Sequence, residues 1–255
     1  MRMRAFMALS GAAVVAGSLV VPAAHAAPAE TRPTITKVRI NDGDDIVIGT
    51  TAVKTVKVTV TASHPSGIKS VGSWLYHGDF DAPNGGDLPE GPATCTAVNA
   101  TTSTCTQTYK IDPTYQLKNS MAGSWHAGVV VLAKDDSYTT KENAALTYVK
   151  RATNLTVNAS PEPVTRGRYI TVTGKLTRAN WETHTYKPYQ SQSVKLQFRK
   201  RTADTYASAG TSYTNAQGDL QEVVVAGEDG YWRWKYNTNS TTAAKVAVGD
   251  YVDVR

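Results

Sequence analysis

Val56, Val58 and Val60 alternate with Lys57, Thr59 and Thr61, and this period of two puts the valines on one face of an extended strand and the polar groups on the other. Short runs of similar style lie at 35–40, 46–48, 68–77, 125–133 and 145–149. Each is bounded by Gly, Pro, Asn or Asp, residues that tolerate or fix the φ values of tight turns. Seven or so short strands in about 115 residues predict an antiparallel sandwich over 33–149. The pattern resumes after 151. Leu155, Val157 and Ala159 alternate, Pro161 and Pro163 interrupt an edge strand, and Ile170, Val172, Gly174 and Leu176 alternate again, as do Val194, Leu196 and Phe198. Trp232, Trp234 and Tyr236 share one face of a later strand and fill the core of a second sandwich over 151–255. The expected fold is therefore all-β, two antiparallel sandwiches in tandem.

The second half also carries motif-like stretches: Asn158-Ala159-Ser160-Pro161-Glu162-Pro163, Thr171-Val172-Thr173-Gly174, Lys195-Leu196-Gln197-Phe198-Arg199-Lys200 and Asp229-Gly230-Tyr231-Trp232-Arg233. In these it resembles the immunoglobulin-like modules of secreted proteins from actinobacteria such as Streptomyces. The first half, through Ser66-Gly67-Ile68-Lys69-Ser70-Val71, is similar to another bacterial immunoglobulin-like pattern. The resemblance implies an immunoglobulin-like fold in both halves and a role as spacer, adhesin or enzyme appendage. It brings no catalytic residue with it.

The first 26 residues predict an export signal. Arg2 and Arg4 precede an apolar stretch over 5–21, and Ala24-His25-Ala26 supplies the small residues of a cleavage site after Ala26. The mature protein is then expected to be secreted and extracellular. Outside this leader no run of 18 apolar residues predicts membrane insertion. Export also decides the reading of Cys95 and Cys105, the only cysteines. In an oxidising compartment they are expected to form a disulfide across a short polar hairpin, which stabilises the fold by about 2.8 kcal/mol on chain-entropy grounds.

Charge adds little. Losing Arg2 and Arg4 with the leader takes the formal net charge from +6 to +4, too little for a nucleic-acid footprint. Arg199, Lys200 and Arg201 are adjacent, but consecutive strand residues face opposite ways. Hydrolase, zinc-protease and phosphate-loop motifs are absent, and Ser124 with His126 on one strand face supplies no general-base geometry, so no enzyme activity is expected. The sequence fits a non-enzymatic binding or structural module that recognises a protein or a cell-wall glycan through loops at the sandwich ends. Trp181, Tyr186 and Tyr189, in a segment at 180–190 without strand alternation, are the first candidates for partner binding, and Trp74 and Tyr76 the second. The alternative is a Ca²⁺-dependent extracellular module in which Asp42, Asp44 and Asp45 supply hard oxygen ligands from one turn.

Overall fold

The computed structural model describes Thr31–Arg255. The expected leader lies outside the described residues. The first nine strands are Thr34–Ile40 (β1), Ile46–Ile48 (β2), Lys54–Ser63 (β3), Ile68–Gly78 (β4), Pro83–Asp87 (β5), Thr94–Ala97 (β6), Thr102–Ile111 (β7), Gly123–Ala133 (β8) and Tyr138–Arg151 (β9). They form two sheets, β1-β3-β7-β6 and β2-β9-β8-β4-β5. All pairings are antiparallel except β2, which runs parallel to β9. The chain leaves the first sheet after β1 and joins the edge of the second as β2, so this order is that of an immunoglobulin-like sandwich.

The valine alternation of β3 is realised as read: Val56, Val58 and Val60 are buried, and they share a core with Trp125, Val129 and Val131 of β8. Their polar neighbours line the outer face of the first sheet, where the hydroxyls of Thr59 and Thr106 pair at 3.4 Å and those of Thr61 and Thr104 at 3.0 Å. Cys95 of β6 is directly opposite Cys105 of β7, and the two are disulfide-bonded within that sheet.

The later strands are Thr153–Leu155 (β10), Asn158–Ser160 (β11), Tyr169–Asn180 (β12), Thr185–Pro188 (β13), Ser193–Lys200 (β14), Ala207–Tyr213 (β15), Asp219–Val225 (β16), Gly230–Tyr236 (β17), Lys245–Val246 (β18) and Asp250–Val252 (β19). The long β12 pairs with β10, β11, β13 and β16. The facing sheet runs β15-β14-β17, with β18 and β19 both on β17. Trp232, Trp234 and Tyr236 are buried between the sheets. Gly174 sits in an apolar position of β12 for a steric reason: a Cβ there would stand 2.5 Å from the Trp234 ring and 2.6 Å from the Thr156 carbonyl. The indole nitrogen of Trp234 donates to the Thr173 carbonyl at 3.0 Å.

Between β9 and β10 only Ala152 intervenes, and its backbone is fully engaged: its N–H donates to Ile48 O at 2.9 Å and its carbonyl accepts from Ala179 N at 2.8 Å. Arg151 joins in with N–H to Thr241 O and carbonyl from Ala243 N, both at 3.0 Å, while its Nε donates to Ala179 O at 2.5 Å. The segment at 180–190, expected to be an open loop, is instead the tight hairpin β12–β13. Asn180 Oδ1 accepts from Glu182 N and Thr183 N at the turn. This hairpin carries Trp181 out of its own sandwich and into the core of the first, where it is 1% exposed. Its Nε1 donates to Gly49 O at 2.9 Å, its N–H to Asn119 Oδ1 at 3.0 Å, and Glu182 Oε1 accepts from Asn119 N at 2.9 Å.

Truncating a buried tryptophan of this kind costs about 3–5 kcal/mol. Trp181→Ala is expected to lose that much in urea or calorimetric unfolding and to split one transition into two as the sandwiches uncouple. Phe198→Ala, within the second sandwich, should lower stability without splitting the transition.

Candidate functional site

The three aromatics first in line for partner binding face inward. Trp181 is spent at the junction. Tyr189 is buried in the second core, with the Arg178 guanidinium 4.0 Å over its ring and its hydroxyl accepting from Asn239 Nδ2 at 2.9 Å. Burial opposes ionisation of Tyr189, but the hydrogen bonds from Thr242 and Asn239 and the nearby Arg178 outweigh it and lower its pKa. Tyr186 is half-buried and packs against the first core. An aromatic-rich hairpin reads the same in sequence whether a foreign partner or the neighbouring sandwich covers it, and here the neighbour does.

Trp74 and Tyr76 lie elsewhere, on the outer face of the β2-β9-β8-β4-β5 sheet. In β4, Val71, Ser73 and Leu75 point to the core, so Gly72, Trp74 and Tyr76 point outward. Across the strand pair, Trp74 is opposite Gly128 and Tyr76 opposite His126. A Cβ at Gly128 would stand 2.1 Å from the Trp74 ring, so the indole lies flat over that glycine. Phe80 packs on both aromatics, with centroids 6.1 Å from Trp74 and 5.7 Å from Tyr76, and His126 stacks on Tyr76 at 5.4 Å. Tyr76 is itself buried by this packing, and His126 Nδ1 is enclosed without a hydrogen-bond partner.

The same face carries further apolar groups on β8 and towards both ends of β9, with the exposed polar stretch 140–143 between them. His126 is opposite Leu146, Ser124 opposite Tyr148 and Leu132 opposite Tyr138; Leu146 is 53% exposed, Tyr138 60% and Tyr148 37%. Val47 of β2 is exposed on the flank. An antiparallel sandwich ordinarily alternates apolar inside with polar outside. The threonine-lined first sheet obeys that rule, and this sheet does not. Sequence reasoning did not single out Phe80, which the turn after β4 folds back onto Trp74, and missed Leu146 and Tyr148 because their place on this face depends on strand order. The available signal was apolar residues on both phases of β4, β8 and β9.

The acidic turn is engaged locally. Asn41–Gly43 forms a single 3₁₀ turn with Asn41 and Asp42 at positive φ. Asn41 Nδ2 donates to the carbonyls of Asp44 and Asp45, and the Asp45 carboxylate pairs with Lys150 at 2.6 Å. Among the described residues no group of three or more His, Cys, Asp or Glu side chains is placed to hold a metal ion. The calcium reading of Asp42, Asp44 and Asp45 thus gains no convergent ligand set: Asp42 and Asp44 are exposed on the segment that crosses between the sheets, and Asp45 is taken up by Lys150. His64, with Ser66 and Asp135 near it, is a turn-former: Nε2 donates to Thr31 O at 2.7 Å, and Nδ1 accepts from the Ser66 hydroxyl at 2.8 Å. The ring is buried, so no substrate reaches it. In the second sandwich, an open cleft of ≈ 690 Å³ lies between 156–158 and the turn that leads from β15 to β16. Its polar groups bond to one another, Lys175 to Asp219 at 2.8 Å and Ser212 Oγ to Gln221 O at 3.0 Å.

Comparison with known proteins gives a match over residues 49–133 to a family of unknown function (DUF5707). That stretch spans β3 to β8 and includes Trp74, Tyr76, Phe80, Gly128 and both cysteines. No curated protein matches the chain. Among solved structures, the chain is similar to the three N-terminal domains of the highly immunogenic outer capsid protein (Hoc) of bacteriophage RB49, at 10% identity and TM-score 0.34, covering 88% of this chain and 71% of that one. It is also similar to the D0–D1 domain of intimin, at 13% identity and TM-score 0.29 with 86% and 98% covered. A third is the Escherichia coli adhesin FdeC, at 14% identity and TM-score 0.34 with 86% and 64% covered. No enzymatic family is indicated.

One carboxyl stands out electrostatically. Asp87, at the end of β5, has one oxygen enclosed without a partner and the other held by Gln116 Nε2 at 3.2 Å. Burial pushes its pKa up to about 6, helped by Glu90, against the hydrogen bonds from Leu88 and Gln116. The folded state therefore favours the protonated form: the stabilisation is complete below the ordinary carboxyl range and is lost as pH rises through about 6. Asp87→Asn is expected to be more stable than wild type at pH 7 by about 1 kcal/mol after allowance for solvent screening, and equal to it near pH 3.5. Urea unfolding of both proteins across that range reads the difference, and a constant gap would contradict it.

Proposed function

We propose that the protein is an exported, non-enzymatic recognition module that docks a protein partner through the outer face of the β9-β8-β4 sheet. The observation that carries the reading is the set of apolar groups on one sheet face, with Leu146, Tyr148 and Tyr138 of β9 exposed, Trp74 of β4 half-buried and Phe80, just beyond β4, exposed beside it, where a solvated sheet would be polar. A protein suits this face better than a sugar. Carbohydrate recognition needs a free aromatic ring face with hydrogen-bonding groups beside it, whereas one face of Trp74 is against Gly128 and Tyr76 is covered by His126 and Phe80. What remains exposed is flat aliphatic and aromatic surface, the kind that desolvates well at the centre of a protein interface. The Cys95–Cys105 disulfide and the leader-like N-terminus support an extracellular setting.

A photo-crosslinking residue placed at 146 or 148 in the full chain tests this. Under native expression, discrete protein adducts are expected from both positions and none from 57 or 106 on the threonine-lined sheet. Trp74→Ala should reduce adduct yield at least tenfold, and Gly128→Ala, which lifts the indole, should do the same with only about 1–3 kcal/mol of destabilisation. Equal adduct yields from both sheets would overturn the reading.

A further inference from the structure

The outer face of the β15-β14-β17 sheet assembles a second surface that the sequence did not announce. In β14, Val194 and Leu196 point inward, leaving Lys195, Gln197 and Arg199 outward; in β17, Trp232, Trp234 and Tyr236 are buried, leaving Tyr231, Arg233 and Lys235 outward. The register sets Lys195 opposite Lys235, Gln197 opposite Arg233 and Arg199 opposite Tyr231. Four cations thus share one side of two neighbouring strands, within a patch about 13 Å by 5 Å from strand geometry. Lys195 directly opposite Lys235 is a like-charge pair, an arrangement that costs stability in an isolated sheet. Among the described residues none of these four cations lies in an ion pair with a carboxylate, whereas Lys175, Lys200 and Arg201 of the same sandwich each have one.

The guanidinium groups are held in place for recognition. Arg233 lies 3.6 Å over the ring of Tyr206, and its Nε donates to Gln197 Oε1 at 2.9 Å. Among the described residues its two terminal nitrogens have no hydrogen-bond partner and form a fork of the kind that matches a carboxylate, sulfate or phosphate in two parallel hydrogen bonds. Arg199 lies 4.3 Å over Tyr231, with Tyr231 packed on Tyr251 at 5.2 Å. The tyrosine faces that carry these guanidinium groups are closed to stacked nucleobases, the platforms that single-strand binders use. The chemistry left to this face is a row of oriented cations with one amide between them.

We propose that this face binds a linear acidic polysaccharide, with Arg233 forking an oxyanion and Arg199, one of whose terminal nitrogens donates to the Ala203 carbonyl, neutralising neighbouring ones together with Lys195 and Lys235. The site is separate from the aromatic face of the first sandwich and stands whether or not that face binds a protein. The full chain is titrated by calorimetry with four probes at low salt: a polyuronate, dextran sulfate, neutral dextran and a single-stranded oligonucleotide. Polyuronate or dextran sulfate should bind, with the stronger of the two identifying the oxyanion, and affinity should fall at least tenfold as salt is raised from 50 to 200 mM. Lys195→Gln with Lys235→Gln should lose at least tenfold in affinity while melting no lower than wild type. Arg233→Lys, which keeps the charge and loses the fork, should lose about fivefold. Lys57→Gln with Lys110→Gln removes the same charge from the other sandwich and should change nothing. Equal loss from the two double variants, an Arg233→Lys protein that binds as wild type, or oligonucleotide binding as tight as the best polysaccharide would each overturn the proposal.

Discussion

The Trp181 indole, buried in the first core while its strand belongs to the second sheet pair, ties the two sandwiches into one unit. Its ring excludes water from the junction and its N–H closes on the Gly49 carbonyl. With Ala152 the only residue between β9 and β10, the backbone there has no slack, and each of its polar groups is paired across the seam. A bare backbone crossing without that indole would leave buried N–H and C=O groups next to solvent, where such bonds are worth little. The buried Arg151 follows from the same packing. Burial, with Arg178 close by, lowers its pKa to about 10, which leaves it charged at neutral pH and bonded to the Ala179 carbonyl.

At the junction the aromatic hairpin of one sandwich is covered by the other, and the distinctive chemistry left at the surface lies on sheet faces. The three outer faces with the most distinctive chemistry differ sharply: threonine hydroxyls on β3 and β7, apolar and aromatic groups on β4, β8 and β9, and arginine-tyrosine stacks on β14 and β17. Each follows from two-residue alternation combined with cross-strand register, since alternation chooses the outward set on one strand and register chooses what stands beside it. The aromatic face depends on two glycines for its flatness. At Gly128 the indole of Trp74 takes the space of a side chain, and at Gly72 a Cβ would sit 3.0 Å from Val130.

The contrast between Trp232 and Trp181 shows where local reading works. Trp232, Trp234 and Tyr236 alternate with polar residues, so burial followed from period alone, and they are buried. Trp181 sits in a segment without period, which supports either an exposed or a covered ring, and only the neighbouring sandwich decides. The adjacent Arg199, Lys200 and Arg201 do diverge, Lys200 pairing with Glu228 and Arg201 lying near Asp229. The basic surface arises instead from Arg199 and Arg233, 34 positions apart in sequence but diagonal neighbours on adjacent strands.

Local residue patterns already carried the all-β class, the change of style near residue 151, the pairing of two lone cysteines across a short hairpin, and the inward set of each regular strand. These depend on the two-residue period and on turn chemistry, which act over a few residues. Only long-range packing brings Trp181 to the junction, pairs Asp45 at the start of β2 with Lys150 of the neighbouring β9, and places cations from β14 and β17 on one face. Those outcomes require strand order and register, which are fixed by long-range packing and so leave no local mark in the chain.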